Sequence, residues 1–214
     1  MTTLLMATRN AHKVGEIQTI LGTNFHCLTL KDFPDAPAVV EDADTFAGNA
    51  TKKAVELARW LSLMSIATPH STRFVLADDS GLEVDALNGA PGVHSARFAA
   101  LDKTENSADA DNNAKLLRLL QTVPLEKSTA RFRCVIALAQ INPSSAVHQP
   151  QLFDGSCEGR IQFAASGGGG FGYDPLFVPD GFTQSFAELG EEVKNKLSHR
   201  AQALAKLKAF FAAR

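Results

Sequence analysis

Long hydrophobic runs are absent from this chain. The longest apolar stretches span only a few residues, far short of the ~20 a membrane helix needs. The opening Met1-Thr2-Thr3-Leu4-Leu5-Met6-Ala7-Thr8-Arg9 has no basic region followed by a long apolar one, so no secretory leader is expected. Cysteine is scarce. Cys27, Cys134 and Cys157 make an odd number with no CxxC, which disfavours a disulfide framework or a zinc knuckle and predicts buried free thiols in a reducing cytoplasm. An excess of one charge is missing too. Lys and Arg total 21 against 23 Asp and Glu, a net −2. No global basic field exists to hold a nucleic-acid polymer, so recognition of phosphate must be local. There is no internal repeat, no GxxxxGK[ST] and no HExxH, and the tetraglycine at 167–170 is the one low-complexity spot.

What is present suits a folded protein. The 214 residues are 45% hydrophobic and 21% charged, which excludes disorder, collagen and coiled coil and fits one domain over 1–214. Leu4-Leu5-Met6-Ala7 reads as a buried strand, broken by Thr8-Arg9-Asn10. Val14, Ile17 and Leu21 then follow helical spacing from a favoured N-cap at Asn10. Residues 32–45 read as loop, and Phe46 to Leu63 as a helix with Phe46, Ala50, Ala54, Leu57 and Leu61 on one face. Phe74-Val75-Leu76-Ala77 is a second apolar strand that ends in polar residues. Residues 101–113 read as a polar surface segment, and Ala114 to Leu120 as helical. Arg131 to Gln140 is the longest strand candidate, ended by Asn142-Pro143-Ser144-Ser145. Leu152-Phe153 and Ile161-Gln162-Phe163 flank a polar middle and predict antiparallel pairing. Ser198 to Ala213 closes the chain as a helix. Interleaved strands and helices with hairpin-like pairs predict α/β with a mixed sheet.

Chemistry concentrates in a few places. At Thr8-Arg9-Asn10-Ala11-His12-Lys13 a strand ends and a helix starts, so free N–H groups and the positive dipole end meet there. His12 and Lys13 oppose that dipole. The segment is either an anion site or an ordinary turn with surface cations. Asp78-Asp79-Ser80-Gly81 follows an apolar strand. One carboxylate turns inward to a hard cation such as Mg²⁺ while the other structures the turn, or both are solvated in an Asx turn. An aspartyl phosphatase of the haloacid-dehalogenase type would want Asp-x-Asp, and here the two are adjacent. Lys53 shares the apolar face of its helix while Lys52 points away. It either snorkels to water or reaches a buried phosphate.

Gly167, Gly169 and Gly172 match GxGxxG, but Tyr173-Asp174-Pro175 follows instead of a helix, so the dinucleotide fingerprint is rejected. Phe171-Gly172-Tyr173-Asp174-Pro175 is turn-like, with aromatics suited to walling a base. Lys194, His199 and Arg200 gather around a second helix start, with Ser198 as its N-cap. Two helix starts crowded with cations, together with an aspartate pair, point to a polyanionic ligand with a metal.

Together these segments resemble the inosine/xanthosine triphosphate pyrophosphatase family. The resemblance runs almost from end to end. It is carried by Ala7-Thr8-Arg9-Asn10 with Lys13 and Glu16, Thr45-Phe46 with Asn49-Ala50 and Lys53-Ala54, and Ala77 to Leu87 into Gly89 and Pro91-Gly92. Ser95-Ala96-Arg97-Phe98, Gly169 to Pro175, Lys194 and Ser198-His199-Arg200 complete it. It implies that Thr8, Arg9, Asn10, Ala11, His12 and Lys13 bind the triphosphate. It also implies that Asp79 ligates Mg²⁺ and serves as general base, with Glu41 and Asp78 as further candidate ligands. Lys53 would lie by the phosphates, Ser80 would contact substrate, and Phe171, Gly172, Tyr173, Asp174, Lys194, His199 and Arg200 would bind the nucleotide, mainly at its base.

The implied fold is α/β and two-lobed, a long twisted mixed sheet flanked by helices with the cleft between lobes. The implied assembly is a homodimer in the cytoplasm. The implied activity is hydrolysis of ITP, dITP and XTP to monophosphate and pyrophosphate, clearing them from the nucleotide pool. Donors aimed at the 6-keto oxygen would reject the 6-amino group of adenine.

Departures from the family pattern are Gly48, where members often carry Glu, the loosely placed acids Glu41 and Asp42, and Phe98-Ala99-Ala100 for a commoner Tyr-Ala-Gly. Two alternatives stand beside this expectation. The first is a related pyrophosphatase for modified pyrimidine nucleotides, like the septum-associated family, against which Ser198-His199-Arg200 and the full Asp-Asp-Ser-Gly block argue. The second is a non-catalytic nucleotide-binding module, against which Asp79 and Lys53 argue.

Overall fold

The computed structural model describes residues 2–64, 74–100, 106–141 and 149–213. Residues 101–105 of the expected polar segment and the strand-ending 142–145 lie outside the described residues. The elements run β1 (Thr2–Met6), α1 (Ala11–Leu21), β2 (Phe25–Thr29), α2 (Phe46–Leu63), β3 (Phe74–Val84), α3 (Asp109–Leu120), β4 (Thr129–Gln140), β5 (Gln151–Ile161), β6 (Phe177–Pro179), α4 (Phe186–Leu197) and α5 (His199–Ala212). Short 3₁₀ turns occupy Asp85–Leu87, Gly92–Ala100 and Leu125–Lys127.

The fold is α/β with a mixed, open sheet in the order β2-β1-β3-β4-β5-β6. β1 pairs in parallel with β2 (Leu4 opposite Cys27) and with β3 (Leu5 opposite Val75), while β6 runs antiparallel to β5 (Arg160 opposite Val178). The chain divides into two compact units, one of Met1–Asp79, Val135–Asp154 and Ala203–Arg214, the other of Ser80–Cys134 and Gly155–Gln202. β3 passes from the first to the second between Asp79 and Ser80.

In the first unit, Leu4, Leu5 and Met6 of β1 are fully buried. Asn10 caps α1 as its sequence predicts, and Ile17 and Leu21 are its buried face. α2 has the predicted bounds. Thr45 caps it by accepting from the Gly48 N–H at 3.0 Å, and Phe46, Ala50, Ala54, Leu57 and Leu61 form its buried stripe. A buried leucine such as Leu57 is worth about 2–5 kcal/mol against alanine. That apolar stripe, more than helix propensity, holds α2 in place. Phe211 sets its ring edge-on to Phe25 and Phe74, at 5.4 and 5.3 Å.

The second unit is built on Leu82, Val84, Phe98, Leu116, Leu120, Phe132, Ile161, Tyr173, Phe177 and Phe186. Ser185 and Glu188 form a capping box at the start of α4, which breaks at Gly190 (φ +78).

Four expectations are corrected. The strand begun at Phe74 does not stop at Ala77 but runs through Asp78-Asp79-Ser80-Gly81 to Val84. Its turn-forming side chains are claimed by tertiary partners, so sheet pairing prevails over local turn chemistry. Residues 152–161 form one continuous strand instead of two arms of a hairpin. α3 begins at Asp109, inside the stretch read as a surface segment, with Asp109 and Asp111 complementing its dipole. Lys194 lies in the last turn of α4, before the start of α5, at the end of a helix where a cation is favoured. β2, β6 and α4 were not foreseen, although Ser185-Phe186-Ala187-Glu188 carries the capping-box pattern that marks the start of α4. Of the cysteines, Cys134 and Cys157 are buried and Cys27 is half-buried, and none of the three is in a disulfide.

Candidate active site

The expected site residues form two groups, one in each unit. In the first unit the loop of 32–45 comes back over the start of α2. Asn49 holds it: its Oδ1 accepts from the Ala43 N–H at 2.9 Å and its Nδ2 donates to the Ala43 carbonyl at 3.3 Å. This clamp fixes Glu41 two residues upstream, and Lys53, one turn along α2, meets it. Lys53 Nζ donates to Glu41 Oε2 at 2.8 Å, to the Asp78 carbonyl at 2.8 Å and to Asp79 Oδ1 at 3.2 Å. It therefore does not snorkel to water but ends among three oxygens. Lys52 points away and pairs at the surface with Asp42.

Asp78 and Asp79 are both buried, and neither is a solvated turn residue. Extended backbone sends their side chains to opposite faces of β3. Lys13 Nζ reaches Asp78 Oδ1 at 2.6 Å, while Asp79 lies with Lys53 and Glu41. Removal from water dominates at Asp79 and pushes its carboxyl up to about 6. The Lys53 and Lys13 charges pull the other way, and the Glu41 carboxylate adds to the rise. Burial would likewise raise Glu41, but Lys53 holds it below its ordinary value. Burial would lower Lys53, but the Asp79 and Glu41 carboxylates hold it above its ordinary value. Hence Lys53 is charged, Glu41 is ionised, and Asp79 is the carboxyl poised to exchange a proton near neutrality.

Asp79 Oδ2 is buried and has no hydrogen-bond partner among the described residues. A buried acceptor without a donor is costly, and a hard cation would relieve it. Glu41 and Asp79 supply the carboxylate oxygens Mg²⁺ prefers. No cluster of three or more His, Cys, Asp or Glu suited to a metal occurs among the described residues. Two carboxylates fit Mg²⁺, which keeps waters and takes substrate phosphate oxygens for the rest of its shell.

The β1–α1 turn is more occupied than its sequence implies. Asn10 Oδ1 accepts from the N–H groups of His12 (2.9 Å) and Lys13 (3.1 Å), and the Asn10 N–H donates to Thr8 Oγ1 at 3.1 Å. Arg9 leans out to the Ala36 carbonyl at 3.0 Å. Ala11 and His12 are exposed. A hollow of about 480 Å³, lined by Thr8, Arg9, Val14, Gln18 and Lys31 among others, opens beside the turn. None of the carboxylates lines it.

In the second unit a turn over Phe171–Pro175 meets the start of α5. Asp174 is buried and directs its carboxylate inward, where Oδ2 accepts from the Phe171 N–H at 2.8 Å and from Lys194 Nζ at 2.5 Å. Lys194 Nζ lies 4.5 Å from the centre of the Phe171 ring, and the Arg200 guanidinium 5.9 Å from the same ring. Arg200 Nη2 donates to Ser80 Oγ at 2.8 Å. His199 stacks on Phe132, with centroids 4.8 Å apart. Ser198 caps α5, its Oγ accepting from the Ala201 N–H at 3.2 Å. Tyr173 Oη donates to the Ser95 carbonyl at 2.9 Å, and burial raises its pKa above the ordinary value. This group therefore offers a half-buried aromatic face with two buried cations beside it.

Asn49 and Gly48 were not read as functional. A Cβ on Gly48 would stand 2.7 Å from the Ala43 Cβ, so the loop packs against the start of α2 where a larger residue would need it to shift.

The sequence profile of the Ham1 family matches residues 4–210. A protein named dITP/XTP pyrophosphatase from Desulforamulus reducens is 48% identical over 204 residues, covering 95% of this chain and 92% of the relative. One of the same name from Geobacter sulfurreducens is 48% identical over 209 residues, covering 97% and 96%. Among solved structures, a HAM1 protein from Coxiella burnetii superposes with a TM-score of 0.80 at 34% identity over the whole of both chains. A nucleoside-triphosphatase / dITP/XTP pyrophosphatase from Mycobacterium abscessus does so with a TM-score of 0.71 at 37% identity, covering 96% of this chain and 98% of that one. A profile match from one end of the fold to the other, with relatives this similar over nearly their full length, makes the chain a member of the Ham1 family.

Proposed function

We propose that this chain hydrolyses the non-standard purine nucleotides ITP, dITP and XTP to the monophosphate and pyrophosphate, with Mg²⁺ as its metal. The single observation that carries the chemistry is Asp79: a buried carboxyl raised to about 6, with Oδ1 fixed by Lys53 and Oδ2 unpartnered. Once Mg²⁺ is bound its charge would draw the Asp79 pKa back down, so that Asp79 is ionised and able to accept a proton at neutral pH. Water attacks one phosphorus of the α–β anhydride, Asp79 takes the water's proton, and the bridging P–O bond at that phosphorus breaks, which releases the monophosphate and pyrophosphate. Glu41 and Asp79 would hold Mg²⁺, which when bound neutralises charge on the phosphate oxygens. Lys53, kept charged by Asp79 and Glu41, adds a fixed positive charge there, and Thr8 to Lys13 would receive the triphosphate. Asp78 orients Lys13.

The Phe171–Asp174 turn, Lys194, His199 and Arg200 would take the base. Phe171 offers a ring face and Arg200 offers donors, which suits a 6-keto oxygen and leaves adenine's amino group opposite another donor. The family resemblance further supports a homodimer in the cytoplasm, checked by sedimentation equilibrium of the purified chain. Among the described residues no helix is long and apolar enough to cross a membrane.

The test is pyrophosphate release across ITP, dITP, XTP, ATP, GTP and a modified dUTP, with and without EDTA. The expected pattern is a kcat/KM at least about tenfold higher for the three 6-keto purines than for ATP, lost in EDTA. Preference for the pyrimidine, or nucleotide binding with no turnover, would overturn it.

A further inference from the structure

Gly172 lies at φ +64 in the turn proposed to meet the base, and one helix holds both of its backbone groups. Its N–H donates to Asp109 Oδ2 at 2.7 Å, and its carbonyl accepts from Asn113 Nδ2 at 3.0 Å. Asp109 and Asn113 stand four apart, on one face of α3. The neighbouring Asn112 grips the Gly92–Ala100 segment: its Oδ1 accepts from the Ala99 N–H at 2.8 Å and its Nδ2 donates to the Ala96 carbonyl at 3.3 Å. That same segment receives the Tyr173 hydroxyl at the Ser95 carbonyl. The first two turns of α3 thus brace the turn both directly at Gly172 and through the segment that anchors Tyr173.

We propose that Asp109 and Asn113 are positioning residues that hold the Phe171–Asp174 turn in its base-reading conformation. This rests on the function proposed above for that turn. A glycine in the left-handed region has no side chain to restrain it, and the peptide planes on either side rotate easily. Tying its N–H and its carbonyl to a rigid helix fixes both planes and sets the Phe171 ring and Tyr173 before ligand arrives, so less ordering is left to be done on binding. Neither residue takes part in the phosphorus chemistry. Their effect should fall on KM and leave kcat alone, as for any contact equally strong in ground and transition states. Asp109 is exposed and Asn113 half-buried, so substitutions there leave the core intact.

Tyr173 is the only tyrosine in the chain, so labelling with 3-fluorotyrosine gives one fluorine resonance that reports on this turn. Asp109→Ala and Asn113→Asp remove the acceptor and the donor in turn. KM for ITP should rise roughly 5- to 30-fold, the worth of one such hydrogen bond, with kcat within about twofold of wild type. The ITP-over-ATP ratio of kcat/KM should fall by the same factor. The Tyr173 fluorine signal of the free protein should shift or broaden. Asp109→Asn, whose amide oxygen still accepts from the Gly172 N–H, should return KM to within about threefold of wild type. Unchanged KM and an unchanged fluorine signal overturn the proposal. So does a fall in kcat shared equally by ITP and ATP, the mark of a general structural defect. Should wild-type protein hydrolyse neither ITP nor XTP, the proposed function fails, while the fluorine signal of these variants still decides whether α3 holds the turn.

Discussion

Replacing Asp79 by asparagine should make the metal-free chain more stable at neutral pH while removing its use as a base. An aspartate ordinarily titrates at 3.8, and burial raises Asp79 to about 6. A carboxyl raised on folding binds its proton more tightly in the folded than in the unfolded chain. Its contribution to stability is therefore greatest at low pH, falls as pH climbs from 3.8 to about 6, and is a net cost above that window. At 1.36 kcal/mol per pH unit the ionised group costs roughly 3 kcal/mol. Asparagine escapes this cost at every pH. That cost already includes the charge attraction to Lys53 at 3.2 Å; what asparagine loses besides is part of Lys53's own support, and Lys53 keeps Glu41 and the Asp78 carbonyl. A net gain of roughly 1–3 kcal/mol remains, or about 3–10 °C in melting temperature for a chain of this size. Thermal melts of both proteins in EDTA, followed by circular dichroism at about pH 7.5 and about pH 4, measure it. The gap should appear at the higher pH and close at the lower, where Asp79 is protonated in the fold and partly so in the unfolded chain. A variant no more stable than wild type at neutral pH, or a gap indifferent to pH, would show that Asp79 is not held as a strained carboxyl.

Lys53→Met keeps the apolar stem but removes the charge between Glu41 and Asp79. kcat/KM for ITP should drop by roughly one to three powers of ten. The acid limb of its pH profile should move upward, because the Lys53 charge is what pulls Asp79 down; a limb that stays in place refutes the coupling. Asn49→Ala frees both backbone groups of Ala43 and with them the loop bearing Glu41. The Mg²⁺ concentration for half-maximal activity should rise several-fold, by about what two neutral hydrogen bonds contribute, and an unchanged Mg²⁺ titration would mean that Glu41 is not a ligand. Arg200→Ala or His199→Ala should narrow the ITP-over-ATP ratio of kcat/KM by roughly tenfold, whereas Lys13→Ala should weaken both nucleotides alike. The opposite pattern would place base and phosphates the wrong way round.

The helices with an uninterrupted apolar stripe were legible in the sequence, α2 to the residue, because burial of Phe46, Ala50, Ala54, Leu57 and Leu61 dictates both its register and its length. β3 was legible only to Ala77. Asp78-Asp79-Ser80-Gly81 looks like a turn because those side chains compete for the local backbone. Here the partners that occupy them come from far along the chain: Lys13, Lys53 and Arg200. No local pattern announces such partners. The same holds for Asp109 and Asn113, which read as polar surface until Gly172 is seen against them. Lys13 at the β1–α1 turn, and His199 and Arg200 at the start of α5, were visible as misplaced charge, whereas Lys194 only looked misplaced and in fact lies in the last turn of α4. The pairing of Lys13 with Asp78 and of Lys194 with Asp174 was not visible, since a separation of 65 or 20 positions leaves no spacing to read.

The lysines of both groups come already paired, Lys13 with Asp78, Lys53 with Asp79 and Glu41, Lys194 with Asp174. Each of these lysines is matched by a carboxylate before any nucleotide arrives, so the three add little field to draw a polyanion in from a distance. Encounter rates should therefore depend only weakly on ionic strength, unlike those of enzymes that steer substrates with an open basic surface. The same balance favours turnover after the bond breaks. If Lys13 and Lys53 meet the phosphates as proposed, the carboxylates that hold them would take them back once pyrophosphate leaves, and no stranded positive charge would remain.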